Sequence, residues 1–230
     1  DISCCYKKLM SIQKGSVYIM KENGQVVLLP EYNRDGRNGI SQYSKQTCSK
    51  SLFFPVGILL VLNLHNRLFT RVCPLAAYND SYRLSDLIIS WIGNGIGTGI
   101  VALAIHFTRF EAGILNRIEE IVIPKLEDSP VSLLILGIFC ALFVAFAVFV
   151  GGIRQKEDPL PKFFYVWLFI TAFVFCGFEH IVADMYYLSV YALNFSVSIT
   201  DIGKVLLCVT LGNVAGGAAV GYLLRKRENS

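Results

Sequence analysis

Three long runs without Asp, Glu, Lys or Arg restrict this chain to one class of fold. They cover Leu87 to Thr108, Val131 to Ile153 and Val205 to Leu224. A helix needs about 20 apolar residues to cross a hydrocarbon core of about 30 Å, and each run reaches that length. The chain has 54% hydrophobic and 17% charged residues, whereas a soluble domain carries about 25% charged residues. The sequence therefore predicts an all-α integral membrane protein.

The positions of the basic residues predict how the chain is oriented. One basic cluster lies between two spans, within residues 154–162, and another follows the last span at 225–227. Two helices separate the clusters, so both can lie on the cytoplasmic side, where Lys and Arg are in excess. We expect a multi-pass protein of the plasma membrane with a basic cytoplasmic tail over 225–230. The formal charge of +4 is explained by these clusters, and we expect no nucleic-acid partner.

Residues 1–50 differ from the rest of the chain in being polar. They contain eight Lys or Arg residues and turn-forming sequences such as ENG and RDGRNG, but no apolar stretch long enough to span a membrane. We expect a polar N-terminal arm that is poorly structured or lies on the surface and contributes little to a pore. A transmembrane domain over 52–224 follows it.

Two further apolar segments are interrupted by charged residues. The first, from 51 to 64, runs into HNRLFTRVCP, and the second, from 163 to about 196, is broken at GFEHIVAD. Each is followed by a helix with a Gly-Asn-x-x-Gly sequence, at 93–97 and 212–216. Interrupted segments at corresponding positions of two halves point to a transporter binding site. The alternative is that the two glycine-rich faces arose independently, because small residues recur wherever membrane helices pack closely.

The second break contains Glu179, His180 and Asp184, although the flanking residues 163–178 and 185–200 carry no charge. Ionisable groups inside a membrane segment are functional by default. His180 is therefore the candidate for a central site, and a packing histidine is the alternative. We expect Glu179 to bind backbone N–H groups of the broken helix rather than substrate. Asp184 either does the same or extends towards the aqueous interface.

Other features of the chain predict neither a metal site nor an enzyme. The seven cysteines show no zinc-site spacing, and no nucleophile–base pair or cofactor motif is present, so we expect no cofactor. Residues 108–130 space their apolar side chains as in an amphipathic helix on the extracellular surface.

Several motifs together resemble the formate/nitrite transporter family. They are FFPVGILLVL with LFT, SWIGNGIGTG, GIFCALFVAFAV, GFEHIVADMYYL and GNVAGGAAVGY, and they extend over about residues 52–224. The resemblance implies an aquaporin-like helical bundle with inverted repeats and two broken helices. It also implies a homopentamer with one pore per protomer that carries small monovalent acid anions. Small residues at Gly93, Gly97, Gly212 and Gly216 would suit the tight helix packing of such an assembly.

The resemblance places four residues of the two breaks in the pore. His180 takes the position at the centre of the pore, and Thr70 takes that of the threonine facing it. Leu68 and Phe69 match the apolar lining of the first break. An imidazole at this point can donate a hydrogen bond or a proton to an arriving anion.

The resemblance also assigns residues around that centre. Phe54 and Phe173 take aromatic constriction positions, and Lys125 lies where many members carry a lysine that attracts anions into the outer vestibule. We expect Asn94 and Asn213 to form interhelical hydrogen bonds near the pore.

The sequence departs from the family pattern mainly in its first third. The family's first helix is not evident in residues 1–50, and Arg67 and Arg71 replace an acidic residue and a glycine in the first break. Asp184 and Ala141 occupy positions where asparagine is common. The leading hypothesis is a channel or proton-coupled transporter for formate or nitrite. The alternatives are a hydrosulfide channel of the same family and a non-conducting, divergent membrane paralogue.

Overall fold

The computed structural model describes residues 10–13, 16–20, 26–29, 56, 64, 66–152 and 159–228, with the backbone alone for the first three ranges and for 151–152 and 159–162. Phe54, which the resemblance places at a constriction, lies outside the described residues. The chain divides into two units, residues 1–50 and 51–230.

The first unit contains an antiparallel sheet of three short strands in the order β1-β2-β3. Their bounds are β1 Met10–Gln13, β2 Ser16–Met20 and β3 Val26–Leu29. Met10 pairs with Ile19, and Val17 pairs with Leu29. These three stretches therefore form strands, and the expectation of a poorly structured arm does not hold for them. Their β-branched and aromatic residues favour strands, although the arm as a whole is polar.

The described part of the second unit is built of α-helices alone, which confirms the all-α fold expected for the membrane domain. The helices are α1 Phe69–Tyr78, α2 Leu84–His106, α3 Phe110–Glu127, α4 Pro130–Gly152, α5 Pro159–Phe175, α6 Ile181–Asn194 and α7 Ile199–Glu228. Among the described residues, α2, α4 and α7 are long and apolar enough to cross a membrane, and they correspond to the three runs in the sequence.

Helices α5 and α6 together form the broken helix expected in the second half. Helix α5 ends at Phe175, and α6 begins only at Ile181. Between them, Gly177 has a φ of +69°, a conformation that glycine adopts without the steric cost of a Cβ atom. The chain thus leaves the helix and restarts it in the middle of an apolar segment.

Helix α7 organises the bundle because its glycines let two other helices approach its backbone. A Cβ atom at Gly212 or Gly216 would lie 2.4 Å from a carbonyl oxygen of α4, and one at Gly221 would lie 2.1 Å from that of Pro74 in α1. Gly212 and Gly216 therefore pack within the protomer, and they do not provide the contact between protomers suggested by the sequence. Gly93 and Gly97 have no such neighbour within 4 Å in the described protomer.

Helix α7 is also longer than its apolar run and continues through the basic residues at its end. The tail expected from residue 225 is helical as far as Glu228. Cations in the last turn are favoured by the partial negative charge of a helix C-terminus. Arg225 additionally donates two hydrogen bonds of 2.7 Å to the carboxylate of Asp80.

Helix α3 is the amphipathic helix expected between the halves. It buries Ile118 and Val122 against the bundle. Its C-terminal end is held by Lys204 of α7, whose Nζ donates to the carbonyl oxygens of Leu126 at 2.6 Å and Asp128 at 3.0 Å. This contact fixes the last turn of α3, which carries Lys125.

Candidate functional site

The first break is held by Asn94 of α2. Its Oδ1 accepts a hydrogen bond of 2.8 Å from the backbone N–H of Phe69, the first residue of α1, and its Nδ2 donates to the carbonyl of Arg67 at 3.3 Å. A helix start leaves backbone N–H groups without partners in the helix, and such groups cannot stay unpaired in a membrane. Asn94 supplies part of the missing pairing.

Asn213 of α7 holds the second break in the same way. Its Oδ1 accepts from the backbone N–H of Ile181, the first residue of α6, at 3.0 Å, and its Nδ2 donates to the carbonyls of Glu179 at 3.0 Å and Gly137 at 2.9 Å. Both asparagines therefore bond the first N–H of a half-helix and the carbonyl two residues before it. This shared geometry accounts for the asparagine in each of the two Gly-Asn-x-x-Gly sequences.

His180 and Thr70 bring the two breaks together. The His180 side chain caps α6, because its Nδ1 accepts from the backbone N–H of Ala183 at 3.3 Å. An accepting Nδ1 carries no proton, so the proton of the neutral ring lies on Nε2. Nε2 is 3.0 Å from Oγ1 of Thr70, to which it donates. Both residues are buried, with 4% of the surface of His180 and 1% of that of Thr70 exposed.

Apolar side chains cover one face of this contact. The ring of Phe173 stacks on the His180 ring at 5.8 Å between centroids and at an angle of 25°. Leu68, the residue before α1, is half-buried and packs on the same apolar cluster as Phe173. Phe69 instead packs in a separate cluster that includes Ile181. Of the apolar residues predicted for the site, Phe173 and Leu68 thus share a cluster beside the histidine.

Lys125 forms a buried cluster with both acidic residues of the second break. Its Nζ pairs with Oε2 of Glu179 and lies 3.0 Å from Oδ1 of Asp184. The side chains of Lys125, Glu179 and Asp184 expose 12%, 8% and 1% of their surface. These three residues are called the Lys125 cluster below.

The Lys125 cluster corrects the roles expected for the two carboxylates. The carboxylate of Glu179 pairs with Lys125 instead of backbone N–H groups, because Asn213 already bonds the backbone of this break. Asp184 is buried and does not extend towards the interface. Sequence reasoning missed the pairing because Lys125 precedes these residues by 54 and 59 positions. The only signal was the presence of unpaired acidic residues in an apolar segment.

The two arginines of the first break are also bound by protein groups. The guanidinium of Arg67 pairs with the carboxylate of Asp86, and Nη1 of Arg71 donates to the carbonyl of Asn66 at 2.9 Å. The charged groups of the first break therefore face α2 and their own loop. Among the described residues, no group of three or more His, Cys, Asp or Glu residues is placed to hold a metal ion.

The arrangement has the chemistry of a small-anion site. Two half-helices begin at neighbouring points, and each helix N-terminus carries about half a positive charge. The Nε2–H group of His180 offers a hydrogen-bond donor between them, with Phe173 excluding water from one side. A small anion can exchange the Thr70 oxygen for its own oxygen as acceptor of that proton.

Comparisons with known proteins show the family and the fold of the chain. Residues 35–225 match the model of the formate/nitrite transporter family. A formate channel of Bacillus thuringiensis, BtFdhC, is 30% identical over 179 residues, which cover 74% of this chain and 68% of the relative. Formate-nitrite transporter 3 of Toxoplasma gondii is 28% identical over 231 residues, covering 92% of this chain but only 45% of the relative. A solved pentameric formate channel with formate bound has the same fold, with a TM-score of 0.67, 21% identity, and coverage of 82% of this chain and 85% of that structure.

Proposed function

The chain belongs to the formate/nitrite transporter family, and we propose that it is a channel or proton-coupled transporter for a small monovalent acid anion such as formate or nitrite. Members of this family are transporters and channels and not enzymes. The observation that carries the proposal is the contact of 3.0 Å between His180 and Thr70. It joins the two breaks at one buried polar point inside an apolar bundle.

Passage of an anion requires compensation for the water that it loses. An unpaired ion in a low-dielectric medium is disfavoured by tens of kcal/mol in the limiting case. The N-termini of α1 and α6 provide partial positive charge, and the Nε2–H group of His180 provides a donor. An approaching anion favours the imidazolium form of His180. Transfer of the added proton from the imidazolium to the anion regenerates the neutral imidazole and yields a neutral acid, which passes apolar side chains such as Phe173 and Leu68 at much lower cost.

We further propose that the protein is a homopentamer in the plasma membrane with a cytoplasmic C-terminus. One solved relative is described as a pentameric formate channel. Only 11% of the most apolar 18-residue stretch of α2 is buried within the protomer, and the helix exposes Ile92, Ile96 and Ile100. A neighbouring protomer would cover such a face. Native mass spectrometry should give a mass of five chains, and monomers or dimers alone would count against the assembly.

Flux through liposomes tests the function and its alternatives together. Purified protein should pass formate or nitrite in a stopped-flow assay well above protein-free liposomes. Flux of hydrosulfide alone would support the hydrosulfide channel. Flux of none of the three anions would contradict the proposal and would favour the non-conducting paralogue, whose motivation is the pair of arginines in the first break.

A further inference from the structure

The Lys125 cluster carries more negative than positive charge when its members are ionised. Lys125 carries one positive charge. Glu179 and Asp184 both face its ammonium group, and together they carry two negative charges. The most exposed of the three side chains has 12% of its surface accessible. Burial of one uncompensated charge is strongly unfavourable, because neither water nor a counter-ion solvates it.

Asp184 is the member whose negative charge is least supported. One of its oxygens, Oδ1, faces Lys125, but Oδ2 is buried and has no hydrogen-bond partner. A buried carboxylate oxygen without a donor is poorly solvated. The N-terminus of α6 adds only about half a positive charge, which does not offset a full negative charge.

The other groups near Asp184 do not supply the missing positive charge. The side chain that α7 places at this break is the uncharged amide of Asn213, which bonds backbone groups. Within the described residues, the titratable groups that interact with the cluster are Lys125 from α3, Glu179 and His180 from the break, Cys140 from α4 and Tyr187 from α6. Arg117, which lies towards Tyr187, is already paired with Glu120.

We propose that Asp184 makes the Lys125 cluster a proton-binding site, in which Asp184 holds one proton at neutral pH, and that this proton controls the approach of an anion to Lys125. With the proton bound, the cluster is neutral. When the proton leaves, the cluster has a net charge of −1 and repels an anion. Repulsion by the charge of Glu179, which faces the same ammonium group, favours the protonated form of Asp184.

This inference rests on the proposed function for its effect on transport but not for the bound proton itself. Glu179 directly precedes His180 in the second break, so the charge of the cluster acts on an anion that approaches the histidine. Asp184 thereby acts as a residue that sets the pH dependence of anion entry without itself contacting the anion.

Infrared spectroscopy of the purified full chain at neutral pH tests the bound proton without any transport. Wild type should show the C=O stretching band of a protonated, buried carboxyl group. Asp184→Asn should lose the band, because Lys125 and Glu179 alone are neutral without a proton, and Glu179→Gln should lose it for the same reason. Asp201→Asn is the matched control at an exposed position of α7, and it should keep the band. Absence of the band in folded wild type, or its persistence in Asp184→Asn, would overturn the proposal.

Formate flux tests the effect on entry. Asp184→Asn keeps the cluster neutral at every pH, whereas the wild-type cluster becomes negative once its proton leaves. Above that pH, formate flux through the variant should exceed wild-type flux about tenfold, and it should rise less on acidification than in wild type. An unchanged pH profile in this variant would contradict the control of entry. Wild type without flux of any anion would instead contradict the proposed function, and the infrared band would still decide whether the cluster holds a proton.

Discussion

At the scale of single residues, two asparagines hold the chain where its helices are broken. Asn213 satisfies two backbone groups in the second break and also bonds the carbonyl of Gly137 in α4, and Asn94 satisfies two backbone groups in the first break. Each break leaves polar backbone groups at membrane depth, where water cannot replace a lost partner. The asparagines therefore determine where His180 and Thr70 meet, although neither touches the histidine ring in a described contact.

We expect Asn213→Ala to destabilise the protein, because it removes the partner of the N–H of Ile181 and of the carbonyl of Glu179. Buried unpaired groups cost about 1–3 kcal/mol each in water-soluble proteins, and side-chain hydrogen bonds in membrane proteins average about 0.6 kcal/mol. The sum predicts a loss of about 2 kcal/mol or more. Thermal unfolding in detergent should show a lower Tm than in Asn116→Ala, a control at an exposed position of α3. Equal Tm values would show that Asn213 is dispensable.

The hydrogen bonds of Glu111 predict how acidification changes the stability of the folded protein. Hydrogen bonds from Asn194 and His106 hold the pKa of Glu111 below its usual value of 4.5. A lowered pKa stabilises the folded state above the usual pKa, and this contribution is lost as the pH falls through the lowered value. Tm measured against pH should therefore decline below about pH 4.5. In Glu111→Gln this part of the decline should disappear, and a wild-type decline in the variant would exclude Glu111 as its cause.

At the scale of secondary-structure elements, contact between helix backbones builds the bundle. Helix α7 lies against α4 through Gly212 and Gly216, and against α1 through Gly217 and Gly221. The same helix supplies Asn213 to the second break. Packing and site geometry are therefore set by one element, and a displacement of α7 would move both.

We expect Gly216→Ala to prevent the native packing of α7 on α4, because its Cβ atom would lie 2.4 Å from the carbonyl oxygen of Ile138. A backbone atom cannot turn aside as a flexible side chain can. Gly203→Ala in the same helix is the control, because its Cβ atom would meet nothing within 4 Å. Alanine also stabilises a helix by about 1 kcal/mol relative to glycine. Monodisperse protein after size-exclusion chromatography should thus be recovered for Gly203→Ala and greatly reduced for Gly216→Ala. Similar recovery of the two variants would contradict the importance of this contact.

The elements differ in how far their sequences predict them. Helices α2, α4 and α7 follow from long apolar runs, and the second break follows from Glu179, His180 and Asp184 within an apolar segment. The three strands were not predicted, because they are short and lie in an arm of polar composition. The pairing of Lys125 with Asp184 was not predicted either, since it depends on how α3 docks on α6. Local pattern fixes where helices start and stop, whereas distant charge pairing requires the packed fold.

At the scale of the whole molecule, the two halves contribute unequal breaks to one site. Each half provides a half-helix and an asparagine, but the histidine comes only from the second half. His180 directly precedes α6, and the residue that directly precedes α1 in the first half is Leu68. The charges differ as well, with Arg67 facing Asp86 in one half and Glu179 facing Lys125 in the other. The similar backbones place a single titratable ring between apolar walls, which is the basis of the proposed passage of an acid anion.

The most direct test is liposome flux of formate through His180→Asn between about pH 5 and pH 8, the range in which a histidine changes charge. Asparagine keeps a polar group but cannot transfer a proton. Loss of one charge-assisted hydrogen bond, about 1.5–3 kcal/mol, predicts a decrease of about ten- to a hundredfold at acidic pH, with assembly unchanged. The matched control is His106→Asn, at the end of α2 away from both breaks, and it should keep the wild-type profile. A wild-type rate and pH profile in His180→Asn would contradict a role for this histidine in transport.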